Sequence, residues 1–314
     1  MIIHVFWQFV FTIMIIHAAI FDDMTTNEAV ETIFLRVYNG TTIEEYDDYP
    51  LENASAITSR ITDNKPTVLY IHGLNENLEE NSVQTVVKAY LKRNDHNIIG
   101  VDYRNLAKDL YPIAVEHVSR VGDAVTTALN KMVESGFDTK KLHIVGHSLG
   151  AQVSSYIGKK VNFQIPRITG LDPAGPLFNI VHDSLSSSDA AFVDIIHTDF
   201  GFYGVAKTTG TIDFFPNGGS RIQPGCPSVF LPSTADDFCS HYRSWEYYAE
   251  SVPNESAFLG VECSSSLNFQ LGECSNNSRI IMGYATPRSA QGTVYLVTDK
   301  QSPFGLKEAG LLPN

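Results

Sequence analysis

Apolar and polar positions along the chain fall into blocks whose period switches between that of a strand and that of a helix. Pro66 to His72 (PTVLYIH) is a short β-branched and aromatic run stopping at Gly73, the pattern of a buried strand. Val83, Val86, Val87, Tyr90 and Leu91 then recur at helical spacing, and Asn97 to Asp102 (NIIGVD) predicts the next strand. Val118, Val121, Val125, Leu129, Met132 and Val133 share one helical face before Gly136, and Lys141 to Val145 (KLHIV) is again strand-like. A further helix is expected from Leu149. Beyond it come Arg167 to Leu171 (RITGL) and Phe192 to Thr198 (FVDIIHT). Strand and helix alternate, so the fold class is α/β, with a mainly parallel sheet, right-handed crossovers and flanking helices. From about Thr208 the pattern reads as loop-rich, with a late strand at Gly292 to Thr298 (GTVYLVT).

The first block stands apart. Met1 to Phe21 contains no Asp, Glu, Lys or Arg, and its apolar core runs from Val5 to Ile16 before Ala18-Ala19. This reads as a signal peptide over residues 1–19, with an uncleaved membrane anchor as the alternative, followed by one domain over 20–314. Four cysteines fit an exported, extracellular protein, and short loops favour the pairs Cys226–Cys239 and Cys263–Cys274. The spacings are too wide for paired C-x₂-C zinc knuckles. In a secreted chain the sequons at Asn39, Asn53, Asn254 and Asn276 are candidate glycosylation sites. With 22 Lys and Arg against 35 Asp and Glu, the net charge of −13 argues against a nucleic-acid partner and against electrostatic capture by anionic membranes. Any lipid contact must then be mainly apolar.

One motif carries chemistry. Gly146-His147-Ser148-Leu149-Gly150 fits G-x-S-x-G between a predicted strand and a predicted helix, where the glycines permit a sharp turn that exposes the serine hydroxyl. The helix start aims amide groups at developing negative charge, so the Leu149 N–H is a candidate oxyanion donor. The turn His72-Gly73-Leu74 offers its companion, the Leu74 N–H; read alone it is equally a tight turn with a core histidine. A serine nucleophile needs a histidine base oriented by a carboxylate, in the order Ser, acid, His. Beyond Ser148 lie His182, His197 and His241. His182 sits in a polar stretch and His197 in an apolar run, whereas His241 follows Cys239-Ser240, where a disulfide would hold a loop, and is the choice. Asp172, at the end of RITGL, is the preferred acid because open α/β sheets place their sites at carboxyl ends of strands. Asp194, inside a strand, is the alternative.

Taken together, IHG at 71–73, VDY at 101–103, GHSLGA at 146–151, GLDPAGP at 170–176, DFFPNGG at 213–219, QPGC at 223–226 and CSHYRSWEYY at 239–248 resemble the pancreatic lipase family, from about Asn64 onward and closest to its insect lipase and phospholipase A1 branch. The resemblance implies an α/β-hydrolase fold, Ser148, Asp172 and His241 as catalytic residues, the Leu74 and Leu149 amides as oxyanion donors, and no cofactor. It also implies that Cys226–Cys239 brackets a lid containing Val229, Phe230, Leu231 and Phe238. That segment has only 12 residues (227–238) and the loop from Phe200 to Ile212 is also trimmed, as in the phospholipase A1 branch. The implied substrate is therefore a phospholipid at its sn-1 ester, with triacylglycerol or galactolipid as alternatives and a non-catalytic, yolk-protein-like storage role as another. Ser184 and Ser186 stand where charged side chains would bind calcium, so no metal is expected. The chain stops soon after its last strands, so no C-terminal β-sandwich and no colipase partner are expected.

Overall fold

A computed structural model describes residues 26–62 and 64–313 of the protein; the expected signal peptide lies outside them. Among the described residues, eleven strands form one sheet. They are β1 (Phe34–Tyr38), β2 (Tyr46–Pro50), β3 (Thr67–Ile71), β4 (Asn97–Asp102), β5 (Leu142–His147), β6 (Arg167–Leu171), β7 (Val193–Ile196), β8 (Ile212–Pro216), β9 (Leu259–Glu262), β10 (Arg279–Ile281) and β11 (Gly292–Leu296). Their spatial order is β10-β9-β11-β8-β7-β6-β5-β3-β4-β1-β2. The stretch from β4 through β3, β5, β6, β7 and β8 to β11 is parallel, and antiparallel strands close both edges.

Four helices cover the two faces: α1 (Asn81–Arg93), α2 (Tyr111–Glu134), α3 (Leu149–Lys160) and α4 (Ala235–Ser251). α2 turns its stripe of Val115, Val118, Val121, Val125, Leu129 and Met132 to the sheet, where α3 joins it over Leu69 and Ile71 of β3. Val68 and Tyr70 point the other way, against Val83, Val86 and Tyr90 of α1 and Trp245 and Tyr248 of α4. β3 is buried along its whole length because its alternate side chains enter two cores.

The loop-rich reading beyond Thr208 is corrected. The segment holds β8 in the parallel sheet, α4, β9 and β10. α4 escapes hydropathy patterning because its buried residues include Ser240, His241, Arg243, Ser244 and Ser251. Its start is locally encoded: the Thr234 hydroxyl accepts from the Asp237 amide, and Asp236 and Asp237 place negative charge in the first turn. Both expected disulfides are formed, Cys226–Cys239 and Cys263–Cys274. Asn39, Asn53, Asn254 and Asn276 are all exposed.

Candidate active site

β5 ends at His147 and α3 begins at Leu149, so Ser148 makes the whole turn between them. It does so at φ 52° and ψ −116°, a strained conformation for a residue with a side chain. Its N–H donates to the Leu171 carbonyl at 2.9 Å, and its carbonyl accepts from the Ala174 amide at 3.1 Å. Ser148 is thereby tied to the chain on either side of Asp172. The flanking glycines are required by close approach. A Cβ at Gly146 would stand 2.5 Å from the Gly150 carbonyl oxygen, and one at Gly150 would stand 2.2 Å from that of Ile71.

Asp172 follows β6 directly and is fully buried, at φ 41°. One carboxylate oxygen accepts from the Thr198 and Asp199 amides at 2.9 and 3.1 Å. The other lies 2.5 Å from Nδ1 of His241. The segment that leaves the carboxyl end of β7 thus supplies the amides that orient the acid, and the acid orients the imidazole. His241 is buried within α4 and is held by the helix itself, not by a disulfide-closed loop. Its ring centroid lies 4.9 Å from that of His147, the residue before Ser148.

The other candidates are occupied elsewhere. Asp194 is locked by Arg167 through bonds of 2.7 and 2.8 Å and receives the Thr169 hydroxyl. His197 is buried, paired with Asp213 at 2.7 Å and stacked on Phe215. His182 faces Glu116 at 3.3 Å. Among the described residues, no group of three or more His, Cys, Asp or Glu is disposed to hold a metal ion. Ser186 instead donates its amide to Asp189 and shares a hydroxyl contact with Ser188.

The turn after β3 packs against the nucleophile: a Cβ on Gly73 would lie 3.2 Å from Cβ of Ser148. The turn is built from buried polar contacts. The Tyr103 ring stacks on His72 at 4.2 Å and its hydroxyl donates to the His72 carbonyl. His72 bonds the Gly73 carbonyl through Nδ1 and accepts the Tyr103 amide at Nε2, and burial depresses its basicity. His72 is thus a core histidine and part of the turn at once. Leu149 is the first residue of α3, where an amide has no acceptor within the helix.

Tyr103, Glu76 and Arg221 are site-adjacent residues that sequence reasoning missed. Glu76 lies under the turn. Arg221 bonds Asp199 through 2.8 and 2.5 Å contacts and reaches Asp237 at 3.1 Å. The buried Asp237 also accepts from the Tyr203 hydroxyl and the Ser233 amide, which fixes the base of the segment closed by Cys226–Cys239. In that segment Val229 and Leu231 are 86% and 74% exposed, and the Arg221 guanidinium sits 5.3 Å from the Phe230 ring. Phe238 departs from the expected lid: it lies in the first turn of α4, stacked between Tyr203 and Tyr242. Its partners hold it on the helix.

A parallel sheet covered by helices on both faces, with a serine at a strained strand-to-helix turn and a buried His–Asp pair beside it, is the architecture of the α/β hydrolases. The sequence model of the Lipase family matches residues 15–304, and the chain belongs to that family. It is 33% identical over 309 residues to the pancreatic triacylglycerol lipase of Oryctolagus cuniculus, across 89% of this chain and 66% of that protein. It is 39% identical over 197 residues to lipase member H-B of Xenopus laevis, across 62% of this chain and 43% of that one. The chain therefore spans roughly half to two thirds of the length of the curated relatives it matches. Among solved structures it is similar to an alpha/beta hydrolase enzyme from a deep-sea metagenome library, at 12% identity over 56% of this chain and 67% of that one, with a TM-score of 0.35.

Proposed function

We propose that the protein is a secreted serine hydrolase that releases fatty acid from glycerolipids, acting chiefly as a phospholipase A1. The observation carrying this reading is the 2.5 Å contact between His241 Nδ1 and Asp172 next to the Ser148 turn. With Nδ1 engaged, Nε2 is left to take the serine proton. Ser148 Oγ attacks the ester carbonyl carbon as its proton passes to His241, and the Leu74 and Leu149 amides receive the resulting oxyanion. The bond between the acyl carbon and the glycerol oxygen then breaks, His241 gives the proton to that leaving oxygen, and water repeats the sequence to free the acid and Ser148.

One feature favours phospholipid, and a second favours a lipid surface of either kind. The segment between Cys226 and Cys239 is short, and its Val229 and Leu231 side chains face solvent, leaving room for a headgroup. Exposed apolar side chains, including Leu110, Ile180, Phe202, Val229 and Leu231, lie in connections that leave the carboxyl ends of parallel strands, the end where Ser148 sits. They suit an uncharged or zwitterionic lipid surface. A triacylglycerol substrate is the second reading, favoured by the relatives named for it.

The test compares the mature protein with Ser148→Ala on phosphatidylcholine carrying different chains at sn-1 and sn-2, and on a triglyceride emulsion. Release of the sn-1 acid by wild type, reduced at least ~10⁴-fold in the variant, is expected. Cleavage of triglyceride alone would overturn the phospholipid preference, and the absence of Ser148-dependent release would favour a non-catalytic lipid-binding role.

A further inference from the structure

The two proposed oxyanion donors come from separate pieces of chain that the sheet does not hold together. β3 and β5 are paired only as far as Ile71 opposite Gly146. Beyond that rung, His72 to Leu74 and His147 to Leu149 leave the ladder. An oxyanion hole is effective only when its donors are fixed before charge develops, so something other than backbone pairing must set their separation.

Glu76 joins the two pieces. Its Oε2 accepts the Gly73 amide at 2.5 Å and lies 3.2 Å from Nδ1 of His147, while its Oε1 accepts the Ser82 hydroxyl at 2.6 Å. Gly73 immediately precedes Leu74, and His147 immediately precedes Ser148. One carboxylate thus anchors the residue before one donor, the residue before the nucleophile, and α1 through Ser82. The junction is enclosed: the side chains of Glu76 and His147 are 10% and 2% exposed.

We infer that Glu76 is a positioning residue for the oxyanion hole, bridging the Gly73 amide and the His147 ring so that the Leu74 and Leu149 amides are held at a fixed separation. The inference rests on the proposed serine hydrolase reading and on those two donors. Glu76 has no role in proton transfer, since all its near contacts are donors that it accepts. Burial opposes its charge, but the His147 ring and the Ser82 and Gly73 donors outweigh that and hold the carboxyl at about 2, so it is ionised at any working pH.

The experiment uses the full mature chain as wild type, Ser148→Ala, Glu76→Ala, Glu76→Gln and His147→Phe. Readouts are kcat and KM on a soluble p-nitrophenyl ester, the inhibition constant of an alkylboronic acid, and thermal unfolding. A boronate adduct on serine places an oxygen in the oxyanion hole, so its affinity reports the hole and is not moved by a merely structural role. Glu76→Ala is expected to lower kcat ~100-fold with KM within ~3-fold, and to weaken the boronate by a similar factor. Glu76→Gln can keep its carbonyl oxygen toward Gly73 and His147 and turn its amide toward Ser82, so it should stay within ~10-fold of wild type. Should Glu76→Ala not fold, His147→Phe keeps the ring and removes one arm of the bridge, with ~10-fold loss of kcat and of boronate affinity expected. A kcat within ~3-fold of wild type in the folded variant, or a boronate affinity that does not follow kcat, overturns the bridge. If wild type shows no Ser148-dependent turnover, the hydrolase reading itself fails; if it does and the Glu76 variants match it, only the bridge fails.

Discussion

At the scale of single residues, the site is a set of buried polar groups whose partners decide what each can do. Three histidine–carboxylate pairs lie near one another: His241 with Asp172, His197 with Asp213, and His147 with Glu76. Their surroundings separate them: Asp172, steadied by two backbone amides, follows the strand beside the Ser148 turn, His197–Asp213 is stacked into a core on Phe215, and Glu76 is taken up by the Gly73 amide and the Ser82 hydroxyl. Glu76 also carries a stability consequence. Its folded pKa of about 2 lies below the ordinary value of 4.5, so its contribution is full above pH 4.5 and is lost as pH falls through 2. That contribution is on the order of 3 kcal/mol. Denaturant unfolding of wild type and Glu76→Gln should therefore show a difference at pH 6 that shrinks markedly at pH 3. An equal difference at both values would mean that the charge on Glu76 adds nothing.

At the scale of elements, the strand-turn-helix around Ser148 depends on α3 lying closer to β3 than any side chain at its second position would permit. A methyl at Gly150 would meet the backbone carbonyls of Ile71 and His72, neither of which can turn aside as a side chain could. Gly150→Ala is expected to destabilise the fold by about 2 to 3 kcal/mol and to lower Tm by ~5 °C or more. Scanning calorimetry decides this; a Tm within ~1 °C of wild type would show that α3 shifts freely on the sheet. The second disulfide belongs to a different element set. Cys263 and Cys274 pack with Phe215, Phe269 and Tyr295 in a small core at the β8, β9 and β11 edge, far along the sheet from β3.

At the scale of the whole molecule, the proposed lipid contact sets a net charge of −13 against exposed apolar side chains when the surface is anionic. Ile180 is 90% exposed and Val229 86%, on connections after β6 and β8. Burying one such side chain in lipid is worth about 1.5 to 3 kcal/mol. Ile180→Ser and Val229→Ser should each weaken partition onto phosphatidylcholine vesicles ~10-fold, with kcat on a soluble ester within ~2-fold. Co-sedimentation provides the measurement, and binding to vesicles rich in anionic lipid should be weaker throughout. Unchanged partition of both variants would remove these two side chains from the proposed account of lipid binding.

The amino-acid sequence by itself determined what is local: strands β3 to β6 alternating with helices, strand β7 beyond them, and the turn at Gly146 to Gly150. Short-range apolar pattern and glycine chemistry fix these within a few residues. It also supplied both cysteine pairs, because each closes a short loop. Helix α4 was hidden, since His241 and Ser244 on its buried side are satisfied by polar partners that no hydropathy pattern encodes. Which carboxylate meets which histidine was settled only by the tertiary structure. Asp172 and His241 are 69 residues apart, and Glu76 and His147 are 71 apart. Such pairings follow from the order in which strands enter the sheet, and that order is set by packing both faces of the sheet at once.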